Sequence, residues 1–163
     1  MNPFVQYENI VPLLAPQDIV DADTATPFVD LKTANKAAFL IFVGALTTAT
    51  AADVVNVTVE AATAAASGSE AQVAFNYRLS GAVGANTWGA ITEAAATAGV
   101  ALASTDDNKA LWIEIDPAAI LAAKADARFV RVFISPSDMA ATLVAAMALV
   151  DPVYKQTTMI SAT

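Results

Sequence analysis

Few side chains of this sequence fall into catalytic or metal-binding patterns. Glu114 and Asp116 lie two apart in Leu111-Trp112-Ile113-Glu114-Ile115-Asp116. In an extended strand both point to the same side. A glycosidase pair must face across a cleft, which two neighbours on one solvated strand face do not provide. Asp106-Asp107-Asn108 offers oxygen ligands for Ca²⁺, yet it lacks the spaced ligands, the glycine and the distal Glu of a calcium loop. It reads as a polar turn. Gly81 to Gly84 (GAVG) is a loop fragment, and no G-x-x-x-x-G-K-[ST] phosphate cradle occurs. The sequence has 0 His and 0 Cys, so imidazole bases, thiolate nucleophiles, disulfides and Cys/His metal sites are excluded. The expectation is a non-enzyme with no catalytic, cofactor-binding or metal-ligating residue and no cofactor.

The remaining candidates are aromatic. Trp112 alternates against Leu111, Ile113 and Ile115, so it points away from the core those residues form. Trp88 sits in a polar-flanked segment, Asn86-Thr87-Trp88-Gly89. Trp and Tyr are enriched in interfaces. Trp88 and Trp112, with Phe4 and Tyr7 near the N-terminus, are therefore the expected partner contacts. The competing reading of Trp112 is that a second layer of the same domain covers it. Phe39, Phe42, Phe75 and Tyr77 fall in strand patterns and are expected in the core.

The elements that must carry these residues are mostly strands. Val55, Val57 and Val59 alternate with Asn56, Thr58 and Glu60. The same period of two runs through Val73 to Ser80, Leu111 to Asp116 and Phe129 to Ile134. Ala37 to Ala45 (AAFLIFVGA) is a continuous apolar run of strand length. Asp116-Pro117 reads as an N-cap and first helical residue, opening one short helix near 117–125. Met139 to Val150 fits either a buried helix or a buried strand by composition, and the number of strands elsewhere favours strand. Pro12, Pro16 and three aspartates interrupt residues 1–25, which are expected to form an irregular N-terminal arm, packed on its own domain or reaching a neighbour. Residues 26–163 then form a single β-rich domain, mainly β, an antiparallel β-sandwich or barrel-like fold.

Length and composition agree with this. A chain of 163 residues suits one domain with a sizeable core. A hydrophobic fraction of 56% against 15% charged argues against disorder. Its net charge of −8 repels a phosphate backbone, so nucleic acid is not an expected partner. The N-terminus lacks the basic and apolar regions of a signal peptide, and the apolar run from Ala37 is too short to span a bilayer. No membrane association is expected.

The order of segments resembles a loosely conserved group of small structural proteins from the head-gene region of tailed bacteriophages. The resemblance is carried by an opening arm leading to Phe28-Val29-Asp30-Leu31-Lys32, then FLIFVGA ending near Gly44, VNVTVEAAT and VAFNYRLS. It continues through NTWGAIT, the acidic turn before Ala110-Leu111-Trp112-Ile113-Glu114-Ile115-Asp116, Arg128 to Val132, and Ala148 to Tyr154. It implies a β-sandwich-like capsid decoration or cement protein. Such a protein is made in the host cytoplasm and carried on the outer capsid surface of the virion. There it binds the major capsid protein and neighbouring copies of itself, as a trimer or other small homo-oligomer at lattice symmetry points. No catalytic residues carry over. A tail, fibre-base or connector component remains an alternative. So does a carbohydrate-binding or hydrolase domain, which would show clustered carboxylates or a flat platform of Trp88 and Trp112.

Overall fold

The structure, a computed structural model, describes residues 9–20, 22–32, 34–48, 54–66, 68–137 and 139–153. In chain order the strands are β1 (Asn9–Asp18), β2 (Thr24–Ala25), β3 (Val29–Asp30), β4 (Ala34–Thr48), β5 (Val55–Ala62) and β6 (Ala71–Val73). They continue as β7 (Phe75–Leu79), β8 (Thr92–Ala94), β9 (Val100–Leu102), β10 (Ala110–Glu114), β11 (Phe129–Pro136) and β12 (Met139–Pro152), with helix α1 (Pro117–Ala123) between β10 and β11. The first sheet has the order β1-β12-β4-β10-β7-β8, the second β2-β11-β5-β6, with β3 also on β11 and β9 also on β5. Every pairing is antiparallel, and the two sheets pack as a sandwich rather than a closed barrel.

The alternating segments build the core as their period requires. Ile113 and Ala148 flank Phe39 in the first sheet, and Leu111 and Ala146 flank Ile41. In the second sheet Val132 lies opposite Val59 and Ile134 opposite Val57. All ten are buried. Burying such side chains supplies about 1.5–3 kcal/mol each for the Val, Ile and Phe positions.

Met139 to Val150 is a strand, as the strand-rich context suggested. It lies between β4 and β1, burying Val144, Ala146, Ala148 and Val150 on the inner side. Good helix propensity is overridden because both flanks offer long backbone ladders. The short helix is also where Asp116-Pro117 placed it. The Asp116 carboxylate accepts the Ala118 N–H at 2.8 Å, Pro117 stands in the first turn, and Ile120 anchors the helix to the core.

Two expectations change. Residues 9–18, read as part of an irregular arm, form an edge strand on β12. Register shifts between Pro12 and Leu14 and between Leu14 and Gln17 break the ladder around the prolines. An edge strand tolerates proline and bulges because one side of it needs no ladder bonds. Residues 24–25 also pair into the second sheet. Further along, Val73 to Ser80 is not one strand. It breaks at Ala74, so that β6 joins the second sheet and β7 the first.

Among the described residues, no helix is long and apolar enough to cross a membrane.

Candidate functional site

The carboxylates considered for chemistry have structural partners. Glu114 accepts the indole N–H of Trp112 at 2.8 Å, while Asp116 caps α1. Asp106 accepts the Ala103 N–H at 3.1 Å and the Lys109 ammonium at 2.9 Å. Asp107 accepts the Leu46 N–H at 2.7 Å, pinning its turn to β4. Among the described residues, no group of three or more His, Cys, Asp and Glu is arranged to hold a metal ion.

The two tryptophans, distant in sequence, meet on the outer side of the first sheet. Trp112 on β10 pairs with Arg78 on β7 and Leu40 on β4. Trp88 comes back onto the sheet because the segment after β7 folds on itself. Gly81 N–H donates to the Thr87 carbonyl at 2.9 Å, Ser80 bridges Trp88, and Gly89 N–H donates to Leu79 at 2.8 Å. A side chain at residue 81 would meet the Thr87 hydroxyl at 2.5 Å, so glycine allows this close return. The indole rings then meet edge to face, with centroids 6.4 Å apart and planes at 78°. The Arg78 guanidinium lies 5.5 Å from the Trp88 ring, within cation–π range. Trp88 remains 42% exposed. The perpendicular rings are not a coplanar platform.

The surrounding outer face is mainly apolar on β1, β12 and β4 and carries charges on β10, β7 and β8. One cross-strand row runs Ile10, Leu149, Ala38, Glu114, Asn76 and Glu93. The next runs Pro12, Met147, Leu40, Trp112 and Arg78. Beyond it come Ala145, Phe42 and Ala110, then Leu143 with Asp18 opposite it on β1. Phe42 is 46% and Leu143 41% exposed. A shallow apolar groove of about 420 Å³, walled by Pro12, Leu14, Phe42, Leu143 and Met147, occupies this end. A hollow of about 220 Å³ occupies the other, lined by Lys36, Asn76, Trp112, Glu114, Asp116 and Asp151.

The outer face of the second sheet is closed by its own side chains. Arg131 donates to Glu60 and to Glu70, each at 2.7 Å, with its guanidinium 4.5 Å from the Phe28 ring. Arg128 makes a two-point contact with Asp30, one bond of it 2.6 Å. The Arg128 guanidinium holds the Asp30 carboxyl below its ordinary value, against the opposing effect of burial, and the Arg128 value is raised in return. Glu70 is lowered chiefly by the Gly68 backbone N–H.

Of the expected contacts, Trp88 and Trp112 are thus brought together, while Phe4 and Tyr7 lie outside the described residues. Phe39 and Phe75 are buried, and Tyr77 is partly buried against the core. Phe42 is a correction. It lies three residues from Phe39, and an odd spacing in a strand puts it on the opposite face. Leu40, Leu143, Met147 and Leu149 were not singled out, although β12 carries the signal. Leu143, Met147 and Leu149 alternate with Val144, Ala148 and Val150, so both faces are apolar and each needs a cover.

Comparison of the chain with protein-family models, with curated proteins and with solved structures returns no match.

Proposed function

We propose that this chain is a non-enzymatic structural protein of a tailed-phage virion, acting as a decoration or cement protein. It binds the outer surface of the head lattice and stabilises the head by bridging neighbouring capsid subunits. The observation that carries the reading is the apolar outer face of the first sheet, Pro12-Met147-Leu40-Trp112 with Phe42 and Leu143 beside it. Contiguous exposed apolar surface of this kind marks interaction sites. Aromatic anchors such as Trp88 and Trp112 commonly carry much of an interface's energy. Two further features support the reading: the resemblance in segment order, and a net charge of −8, which suits the outside of a shell enclosing nucleic acid. A lattice presents the same contact many times, so modest single-site affinities accumulate.

The test is to purify heads and whole particles of the phage that encodes the chain and count its copies by quantitative mass spectrometry. Hundreds of copies on heads support decoration. A dozen or fewer, confined to tails or connectors, moves the protein to that alternative. Absence from particles overturns the virion reading.

A further inference from the structure

We infer that the outer face of the first sheet takes an extended segment of a partner protein, bearing a large apolar side chain and, about four residues away, a lysine or arginine. This rests on the reading of that face as a docking surface and adds the chemistry of what docks.

Two observations select this occupant. The first is the pair of depressions at opposite ends of the face. The groove at Phe42 and Leu143 is apolar, while among the described residues the hollow at Trp112 holds Glu114, Asp116 and Asp151 against Lys36, with Arg78 beside Trp112. Glu93 adds a carboxylate in the Glu114 row. The polar end therefore carries excess negative charge, and its complement is a cation. The second is distance. Phe42 and Ala38 mark the levels of the two depressions on β4 and lie four residues apart. At about 3.3 Å per residue that is about 13 Å, the span of four residues in an extended partner. Between them Leu40, Met147 and Trp112 form an apolar floor.

A second copy of this chain fits less well. A face-to-face two-fold arrangement sets the carboxylate end either against its equal or against the apolar groove. The first juxtaposes like charges, and the second buries carboxylates without a counterion. Each partner would also carry a charge of −8. Nucleic acid is opposed by the same charge.

The experiment uses an array of immobilised ten-residue peptides, probed with the labelled full chain. One phenylalanine and one arginine stand in an alanine–serine–threonine background at separations from one to seven. A matched array has glutamate in place of arginine. The expected result is strongest binding at a separation near four, and loss of binding on the glutamate array. Glu114→Lys with Asp151→Lys should reduce binding to the arginine peptides by on the order of tenfold, the loss of one charge-assisted contact, and favour the glutamate series. Glu114 is exposed and Asp151 half-buried, and matching circular dichroism and thermal unfolding confirm folded protein. Met147→Asp should abolish binding to the arginine array. A blank array, or binding indifferent to charge or separation, overturns the inference. Sedimentation showing a dimer that Met147→Asp disperses assigns the face to a second copy and also overturns it. The two readings fail separately: absence from purified particles removes the virion role but leaves peptide binding standing, whereas a blank array leaves the copy count untouched.

Discussion

The two outer faces of the sandwich differ more than the two inner ones. Inside, both sheets present aliphatic and aromatic residues at alternate positions, Phe39, Ile41 and Ile113 against Val57, Val59, Val132 and Ile134. Outside, the second sheet sets Arg131 between Glu60 and Glu70 over Phe28, whereas the first sets Leu40, Phe42, Met147 and Trp112 in adjoining rows. The second face satisfies its charges within the chain. On the first face the apolar groups lie on β12 and β4, with Glu114, Arg78 and Glu93 to one side of them on β10, β7 and β8. The same strand period can thus produce a finished surface or one that still has apolar area to bury, depending on the alternate residues.

That contrast can be broken most severely from inside. Phe39 contributes to the interior both faces share, so Phe39→Ala should cost about 3–5 kcal/mol in chemical denaturation. A cost below about 1 kcal/mol would mean that the interior is not common to both faces. Next is Arg131→Ala on the closed face. It leaves Glu60 and Glu70 without their cation and should cost about 1–3 kcal/mol by the same measurement. Trp88→Ala on the open face should cost less, about 0.5–1.5 kcal/mol, through loss of the ring pair with Trp112. It should also change the intrinsic fluorescence of Trp112.

Acid should act on the closed face. Asp30 and Glu70 have folded-state values below their ordinary 3.8 and 4.5. The unfolded chain therefore binds more protons in that range, and stability rises with pH through it. The contribution is fully present above those ordinary values and fades as pH falls through the lower folded ones. Asp30→Asn should lower stability near neutrality, where that contribution is fully present, and flatten the stability–pH curve below pH 4. The smallest effect on stability belongs to Met147→Ser on the open face, within about 0.5 kcal/mol. The same substitution should diminish binding of a hydrophobic dye. An unchanged dye signal would show that this face is not the open one.

Much of the fold was legible because strand alternation is a local property. Val55 to Glu60 and Leu111 to Asp116 show their inward and outward sides within a few residues. Asp116-Pro117 marks the helix start through one backbone bond. Residues 9–18 misled because prolines exclude a central strand but not an edge one, and edge position depends on β12, far along the chain. Phe42 was misplaced because a continuous apolar run hides the period that separates it from Phe39. The site was half legible. Trp112 could be assigned outward from its neighbours, but nothing near Trp88 in sequence announces that the two rings touch.

Composition, charge and period are local properties, legible in the chain alone: a β-rich chain, acidic, without His or Cys, with a capped helix after β10. The tertiary structure alone decided which of the two apolar sides of β4 and β12 became interior. It also decided that Ala74 divides one apparent strand between two sheets, and that Trp88, Trp112 and Arg78 form one cluster. Those outcomes depend on pairings between strands distant in sequence, and a strand's own residues specify which sides are apolar but not what will cover each side.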